Sequence, residues 1–197
     1  MTSIIYKYEC TEPPFDQREA LRYAGMRAED DVIGALLCKC YEAVRGILTY
    51  RACYRELSVD EPAVKALLAV SESARTLLSG CDAVVFFAAT VGGELDRAIA
   101  RVTLKSCTEG LLTDAVGAER IESLCDSLCE HLSLSYGESG RVTTRRFSPG
   151  YGDIPLSAQR EIFALLDCQR RIGLTLNESL LMSPSKSVSA IVGIRRK

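Results

Sequence analysis

The stretch Ala83-Val-Val-Phe-Phe-Ala-Ala-Thr-Val91 forms a continuous apolar run between Gly80 and the pair Gly92-Gly93. Its length and its content of β-branched and aromatic residues are typical of a strand that is buried on both faces. We therefore predict that this run forms the central strand of a sheet.

The segments before this run show helical spacing of apolar residues, with one aromatic-rich strand pattern among them. Asp60 and Pro62 are a favourable helix start, and Gly25 and Gly80 are favourable helix ends. The predicted elements are helices over residues 17–24, about 30–48 and 60–80, and a strand over 50–57.

The segments after the run also contain helical and strand patterns of apolar residues. Gly117 is expected to divide a long helical stretch into two helices, and Ser157 is expected to cap a later helix that ends at Gly173. The prolines and glycines of residues 148–156 exclude regular structure there. The predicted elements are helices over about 94–116, 118–135 and 157–171, and strands over 141–147, 174–182 and 187–194.

Strands and helices do not alternate regularly along the chain, which disfavours a doubly wound parallel sheet. We predict an α+β fold with a single mixed or mainly antiparallel sheet and flanking helices. The length of 197 residues suits one domain. Within it, we expect residues 1–80 to form a helical part packed on a core of residues 81–197.

Composition narrows the class of function. The 24 basic and 26 acidic residues give a net charge of −2, which argues against nucleic-acid binding. No stretch reaches the roughly 18 apolar residues of a membrane span, and the N-terminus lacks the pattern of a signal peptide. The nine cysteines are odd in number and fall mostly on apolar faces. We expect a cytoplasmic protein with reduced thiols.

Several kinds of catalytic or metal site can be discounted. His131 is the only histidine and lies within a predicted helix, which disfavours a Ser-His-Asp triad. A zinc site is disfavoured because Cys125 and Cys129 share a helix face that His131 does not. Thr90-Val-Gly-Gly93 lacks the spacing of a phosphate loop, although its place after the central strand makes it a candidate pocket wall. We expect no catalytic residue and no metal site.

The loop Arg146-Phe-Ser148-Pro149-Gly150-Tyr151 carries the clearest binding pattern. A guanidinium can hold a carboxylate through two hydrogen bonds. A glycine allows the backbone to approach a flat ligand, and a tyrosine offers a ring with a polar end. The sequence thus indicates a ligand-binding loop.

This loop and the segment Gly173-Leu-Thr-Leu-Asn-Glu-Ser-Leu-Leu-Met-Ser-Pro-Ser-Lys-Ser-Val-Ser189 resemble the reactivation domain of cobalamin-dependent methionine synthase, which binds S-adenosylmethionine. The resemblance extends over about Cys81 to Ile194 and is most specific in the last fifty residues; residues 1–80 show it only faintly.

The resemblance implies a mechanism. In the family, cobalamin is occasionally oxidised, and the domain holds S-adenosylmethionine over the corrin while a flavodoxin-like donor supplies an electron, so that the reduced cobalamin is methylated. Arg146 would bind the methionine carboxylate, and the backbone of Ser148, Pro149 and Gly150 would hold the ligand beside Tyr151.

The resemblance also assigns an acidic residue to the positive end of the ligand. Glu122 aligns with it, while Asp126 and Glu130 are alternatives on the same helix. Lys186 stands where the larger enzyme has a small residue, so Lys186 and Ser187 are expected to contact the corrin or a partner protein.

The chain lacks the Asp-x-His-x-x-Gly motif that binds cobalamin, and it ends before a tyrosine-bearing segment that helps to enclose the ligand in the larger enzyme. The resemblance thus implies a stand-alone subunit, with cobalamin on a methionine synthase that lacks its own reactivation domain. Two alternatives stay open: a non-catalytic module that binds a corrinoid protein, and a reactivator of another corrinoid methyltransferase.

Overall fold

The computed structural model describes residues 4–26 and 31–197. The helices are α1 Gln17–Tyr23, α2 Asp31–Val44, α3 Pro62–Val70, α4 Glu72–Leu77, α5 Gly93–Thr103, α6 Cys107–Gly137, α7 Ala158–Leu166 and α8 Cys168–Ile172. The strands are β1 Tyr6–Glu9, β2 Arg51–Ser58, β3 Ala83–Thr90, β4 Arg141–Thr143, β5 Thr175–Leu176, β6 Met182–Ser183 and β7 Ser187–Arg196.

The main sheet has five strands in the order β1-β2-β3-β7-β4, and every neighbouring pair is antiparallel. The apolar run forms β3 in the middle of this sheet, with all its residues buried. Its register against β7 runs from Ala83 opposite Ile194 to Thr90 opposite Ser187. The predicted α+β class, the antiparallel sheet and the central strand are therefore confirmed.

Alternate side chains of β3 serve two separate apolar cores, because successive residues of a strand point to opposite faces. Val85 and Phe87 face a core built with α1, α2, α5 and α6. Val84 and Phe86 face a second core built with α3, α4, α7 and α8. Residues 4–80 contribute β1 and β2 to this sheet in addition to their helices. No helix in the described part of the chain is long and apolar enough to cross a membrane.

The predicted division of a helix at Gly117 is wrong, because α6 continues through this residue. The break lies earlier, where the Ser106 side chain caps α6 by accepting a hydrogen bond from the Glu109 N–H at 3.2 Å. Gly117 instead allows side chains of neighbouring elements to pack closely against α6. A Cβ there would lie 2.7 Å from Leu95 Cδ2 and 3.0 Å from Lys186 Cγ.

Two other predicted helices are each interrupted once. The helix predicted over 60–80 forms α3 and α4, which Ser71 separates by capping α4 through the Ala74 N–H. The helix predicted over 157–171 breaks at Asp167, whose φ of 49° is left-handed, and the Ser157 side chain forms no cap hydrogen bond.

The remaining differences concern element ends. The helix predicted from Asp30 starts at Asp31 among the described residues, since Asp30 lies outside them, and it gives way to a 3-10 turn over Arg45–Ile47. The strand predicted over 174–182 is wrong: only its ends pair, as the short ribbon of β5 and β6. The predicted strand 141–147 is regular only in β4, after which Phe147 forms a single bridge with Ile191.

Candidate ligand site at the edge of the sheet

The chain leaves the sheet after Phe147, whose N–H and C=O bond Ile191 at 3.0 and 2.9 Å. It then forms the loop of residues 148–156, as predicted. Gly150 adopts a φ of 91°, a conformation that favours glycine, and its N–H donates to the Ile154 carbonyl at 2.9 Å. The Tyr151 N–H donates to the Ser148 carbonyl at 3.2 Å. The loop is thus held closed by its own backbone.

Asp153 fastens this loop to α4. Its carboxylate accepts hydrogen bonds from Ser71 Oγ at 2.6 Å, from the Glu72 N–H at 2.6 Å and from the Ser73 N–H at 3.0 Å. These bonds, that from Ser71 foremost, hold the pKa of Asp153 well below its ordinary value. Sequence analysis missed this anchor because no local pattern links Asp153 to residues about eighty positions earlier.

Arg146 lies between two carboxylates of α6. Its Nη2 is 2.5 Å from Glu122 Oε2, and its Nη1 contacts Asp126 Oδ1. Burial lowers the pKa of Arg146, but hydrogen bonding to Asp126 and the nearby negative charges outweigh it and hold that pKa above its ordinary value. The structure thus brings Arg146 together with Glu122 and also with Asp126, which the sequence offered as an alternative to Glu122. The spacing of four residues between the two acids places them on one side of the helix.

The flanks of this cluster come from α1 and from α6 itself. Tyr23 is partly exposed, and its pKa is raised by burial and then by the charge of Glu122. Cys125 is fully buried beside the cluster, and burial raises the pKa of its thiol well above the ordinary value. The ion cluster therefore has a buried thiol and a partly exposed tyrosine ring within the range of its charges.

The other loop residues lie apart from the cluster. The Tyr151 ring is 70% exposed. Pro149 and Phe147 line an apolar cavity of about 280 Å³ between α3 and α7, on the sheet face opposite to α6. Ser148 contributes its carbonyl to the closing hydrogen bond of the loop. The loop thus separates the ion cluster from this cavity.

Lys186 lies in the turn before β7, and Ser187 is the first residue of β7. Lys186 Nζ forms an ion pair with Asp114 Oδ1 at 2.8 Å, about two turns of α6 before Glu122. The Ser187 hydroxyl is buried, 2.9 Å from Thr90 Oγ1 and 2.8 Å from a proline carbonyl. The structure does not place these two residues beside Arg146, and only Lys186 has part of its side chain at the surface.

The residues considered for other chemistry are dispersed. The His131 ring lies against the Tyr8 ring, with centroids 5.1 Å apart. All nine cysteines are within the described ranges, and none forms a disulfide. Residues 4–26 and 31–197 contain no group of three potential metal ligands close enough to share an ion.

Comparisons with known proteins identify the family of this chain. The family "Vitamin B12 dependent methionine synthase, activation domain" matches residues 80–196. A crystal structure of the MetH reactivation domain bound to AdoHcy aligns with a TM-score of 0.64 and 16% sequence identity, covering 96% of this chain and 78% of that one. No curated protein sequence matches the chain. The likeness to the solved structure shows the shared fold, and the match over residues 80–196 shows the family. The chain belongs to the activation-domain family of vitamin B12 dependent methionine synthases.

Proposed function

We propose that this chain binds S-adenosylmethionine at the Arg146 loop and acts as a reactivation subunit for a cobalamin-dependent methionine synthase. The observation that carries the proposal is the contact of Arg146 with Glu122 and Asp126, on the segment that leads directly into a closed glycine-tyrosine loop. An α-amino acid end presents a carboxylate and an ammonium group, which such a mixed cluster can bind together. The similar MetH domain was solved with AdoHcy, which shares this amino acid end.

Each residue has a role in this proposal. Arg146 binds the ligand carboxylate and Glu122 faces its positive end. The backbone of Ser148, Pro149 and Gly150 holds the ligand, since Gly150 has no side chain and adopts the left-handed φ that favours glycine. The exposed ring of Tyr151 covers it.

Cobalamin would supply the methyl acceptor and would be carried by the partner methionine synthase. A flavodoxin-like protein is the proposed electron donor. The residues of this chain bind and orient the methyl donor, which is a contribution of positioning and electrostatics. Lys186 and Ser187 belong to the proposed partner or corrin contact, where Lys186 would have to exchange Asp114 for a new anion.

Calorimetric titration with S-adenosylmethionine tests the site. Arg146→Ala should weaken binding by about 1.5–3 kcal/mol because a charge-assisted contact is lost. Arg145→Ala is the matched control, since Arg145 is the exposed neighbour on the same segment. Equal affinity of the wild-type chain and Arg146→Ala would refute the assignment of Arg146.

The reactivation function is tested by measuring transfer of the methyl group to the partner protein. S-adenosylmethionine labelled on its methyl group is mixed with this chain, a reductant and cobalamin-loaded methionine synthase. Label on the partner that depends on this chain supports reactivation.

A second candidate is a non-catalytic module that docks on a corrinoid protein. It is favoured by the state of Arg146, whose guanidinium is already paired with two carboxylates of α6, and by the exposure of the Tyr151 ring. Binding to the corrinoid partner without any thermal shift by S-adenosylmethionine would decide for this candidate.

A further inference from the structure

The strand β1 (Tyr6–Glu9) lies at one edge of the main sheet, and its only neighbour in the sheet is β2. Every second residue of an antiparallel strand directs its backbone N–H and C=O away from that neighbour. Within residues 4–26 and 31–197, no backbone hydrogen bond from another segment reaches the outer side of β1. The outer edge of β1 is therefore open to pairing with a further strand.

One face of β1 carries tyrosines and is fixed to the rest of the protein. The Tyr6 ring stacks on the Tyr54 ring of β2, with centroids 5.2 Å apart. The Tyr8 hydroxyl lies 2.9 Å from Ser127 Oγ of α6. These contacts hold the strand in an extended, ordered conformation, so its open edge is already arranged for pairing.

The opposite face of β1 carries Lys7 and Glu9, since successive residues of a strand point to opposite sides. In the described part of the chain neither side chain forms an ion pair, although Glu9 lies opposite Arg51 in the register with β2. A lysine on a short edge strand commonly prevents strand pairing. Here the lysine is followed two positions later by an acid on the same face, and a second strand of the same sequence can neutralise both charges.

We propose that two copies of this chain associate through β1, paired antiparallel about a two-fold axis at Tyr8. In this register Lys7 of each copy lies opposite Glu9 of the other, which gives two equivalent ion pairs. A two-fold interface must be complementary to itself, and the order of these charges meets that requirement. The two sheets then form one continuous sheet, with the outer backbone groups of both β1 strands hydrogen-bonded to each other.

The charges also select the register. An axis at Lys7 would place this lysine opposite its own copy, and an axis at Glu9 would do the same for the acid. Opposite charges directly across an antiparallel pair stabilise it, whereas like charges destabilise it. The axis at Tyr8 is therefore favoured over its neighbours on the same strand.

Exposed apolar side chains flank this edge and would lose contact with water on association. Ile4, just before β1, is 66% exposed, and Tyr6 is 47% exposed. Leu134 of α6 is 67% exposed and lies on the same helix face as Ser127 and His131, both of which contact Tyr8. Burial of such groups adds to the strand pairing.

The association should be weak, because the paired strands are short. Interfaces below about 1,200 Å² are typical of transient complexes. We expect a monomer at about 5 µM and a clear fraction of dimer at about 500 µM. The dimer should weaken in 0.5 M salt, since the Debye length falls from about 10 Å at 0.1 M towards about 3 Å at 1 M.

Sedimentation equilibrium of the full chain over this concentration range tests the proposal. Lys7→Glu should weaken the dimer by at least about tenfold, because it turns two attractive contacts into two repulsive ones. Lys105→Glu is the matched control, since it makes the same change of charge at an exposed lysine after α5, and it should leave the dimer unchanged.

Two charge exchanges make the test specific for this pairing. The double variant Lys7→Glu with Glu9→Lys should dimerise more tightly than Lys7→Glu alone, because the ion pairs are restored in reverse. The single variants Lys7→Glu and Glu9→Lys should form mixed dimers with each other, although neither should dimerise well by itself. Circular dichroism confirms that each variant is folded.

The outcomes are decisive in both directions. A wild-type chain that stays monomeric at about 500 µM refutes the proposal. A dimer that Lys7→Glu does not weaken, or a double variant no better than Lys7→Glu, refutes it as well. Amide hydrogen exchange of residues 6–9 should slow at the higher concentration, and unchanged exchange in a dimer would place the contact elsewhere. None of these results bears on the ligand site at Arg146.

Discussion

Replacing Arg120 should destabilise the protein more than replacing any surface arginine. Its side chain is completely buried in α6, and its guanidinium donates to the carbonyls of Pro13 and Pro14, both at 2.7 Å, and to Glu119 Oε1 at 2.6 Å. Glu119 is 2% exposed and also accepts the Asp16 N–H at 3.1 Å. The pair therefore fastens the segment that leads into α1.

The loss of stability expected for Arg120→Met follows from the polar groups that lose their hydrogen-bond donor. The methionine keeps apolar volume, but it leaves the buried carboxylate of Glu119 without its cation and the carbonyls of Pro13 and Pro14 without this donor. Removing one partner of a buried ion pair costs about 3–5 kcal/mol. This is a large share of the roughly 5–15 kcal/mol that stabilises a typical domain, and for this chain length it should lower the Tm by about 6–20 °C.

Urea unfolding followed by circular dichroism measures this change. The double variant Glu119→Gln with Arg120→Met should recover part of the loss, because it removes the stranded charge. A free energy of unfolding for Arg120→Met within about 1 kcal/mol of wild type would refute the reasoning. So would a double variant that is no more stable than the single one.

Three further outcomes are expected. Burial and a hydrogen bond to Glu12 raise the pKa of Tyr41 from 10.0 to about 12, so the folded state keeps a proton that the unfolded chain loses; stability should fall as pH rises from 10 to 12, and urea unfolding should show a smaller fall for Tyr41→Phe. Asp153→Asn should speed amide hydrogen exchange in the loop of residues 148–152, and unchanged exchange there would show that the anchor is dispensable. Gly117→Ala should cost about 1–3 kcal/mol in chemical denaturation because of overpacking, since its Cβ would lie 2.7 Å from a leucine of α5; Gly137→Ala, where a Cβ meets nothing within 4 Å, should cost much less.

The central strand could be predicted because its burial on both faces is reflected in its apolar amino-acid composition. A strand that is covered on both faces is expected to be apolar along its length, and β3 is apolar at every position except Thr90 at its end. The antiparallel sheet followed from the irregular order of strands and helices. These features depend on local patterns that tertiary contacts reinforce.

Gly117 could not be interpreted correctly from sequence. A glycine that ends a helix and a glycine that admits a neighbouring side chain look alike in a helical pattern. Only the approach of Leu95 and Lys186 distinguishes them. The left-handed φ of Asp167 is similar, since aspartate adopts this conformation only where the surrounding structure requires it.

The candidate site could be predicted only where its residues form a local sequence pattern. Arg146 and the glycine-tyrosine loop form a local pattern, and the family resemblance added Glu122. The anchor of Asp153 joins the loop to Ser71, which is 82 positions earlier. Arg120 bonds Pro13 across 107 positions. Contacts of such separation leave no periodicity or spacing in the sequence.

The length of α6 has a consequence for its tolerance of insertions. This one uninterrupted helix carries Asp114, Gly117, Glu122 and Asp126, which meet Lys186 at one point and Arg146 at another. Each residue of a helix turns it by about 100°. A single residue inserted after Gly117 would leave the first ion pair intact and rotate both carboxylates away from the guanidinium. The number of residues of α6 between these two points is therefore fixed by the two ion pairs, so substitutions there should be tolerated far more readily than insertions or deletions.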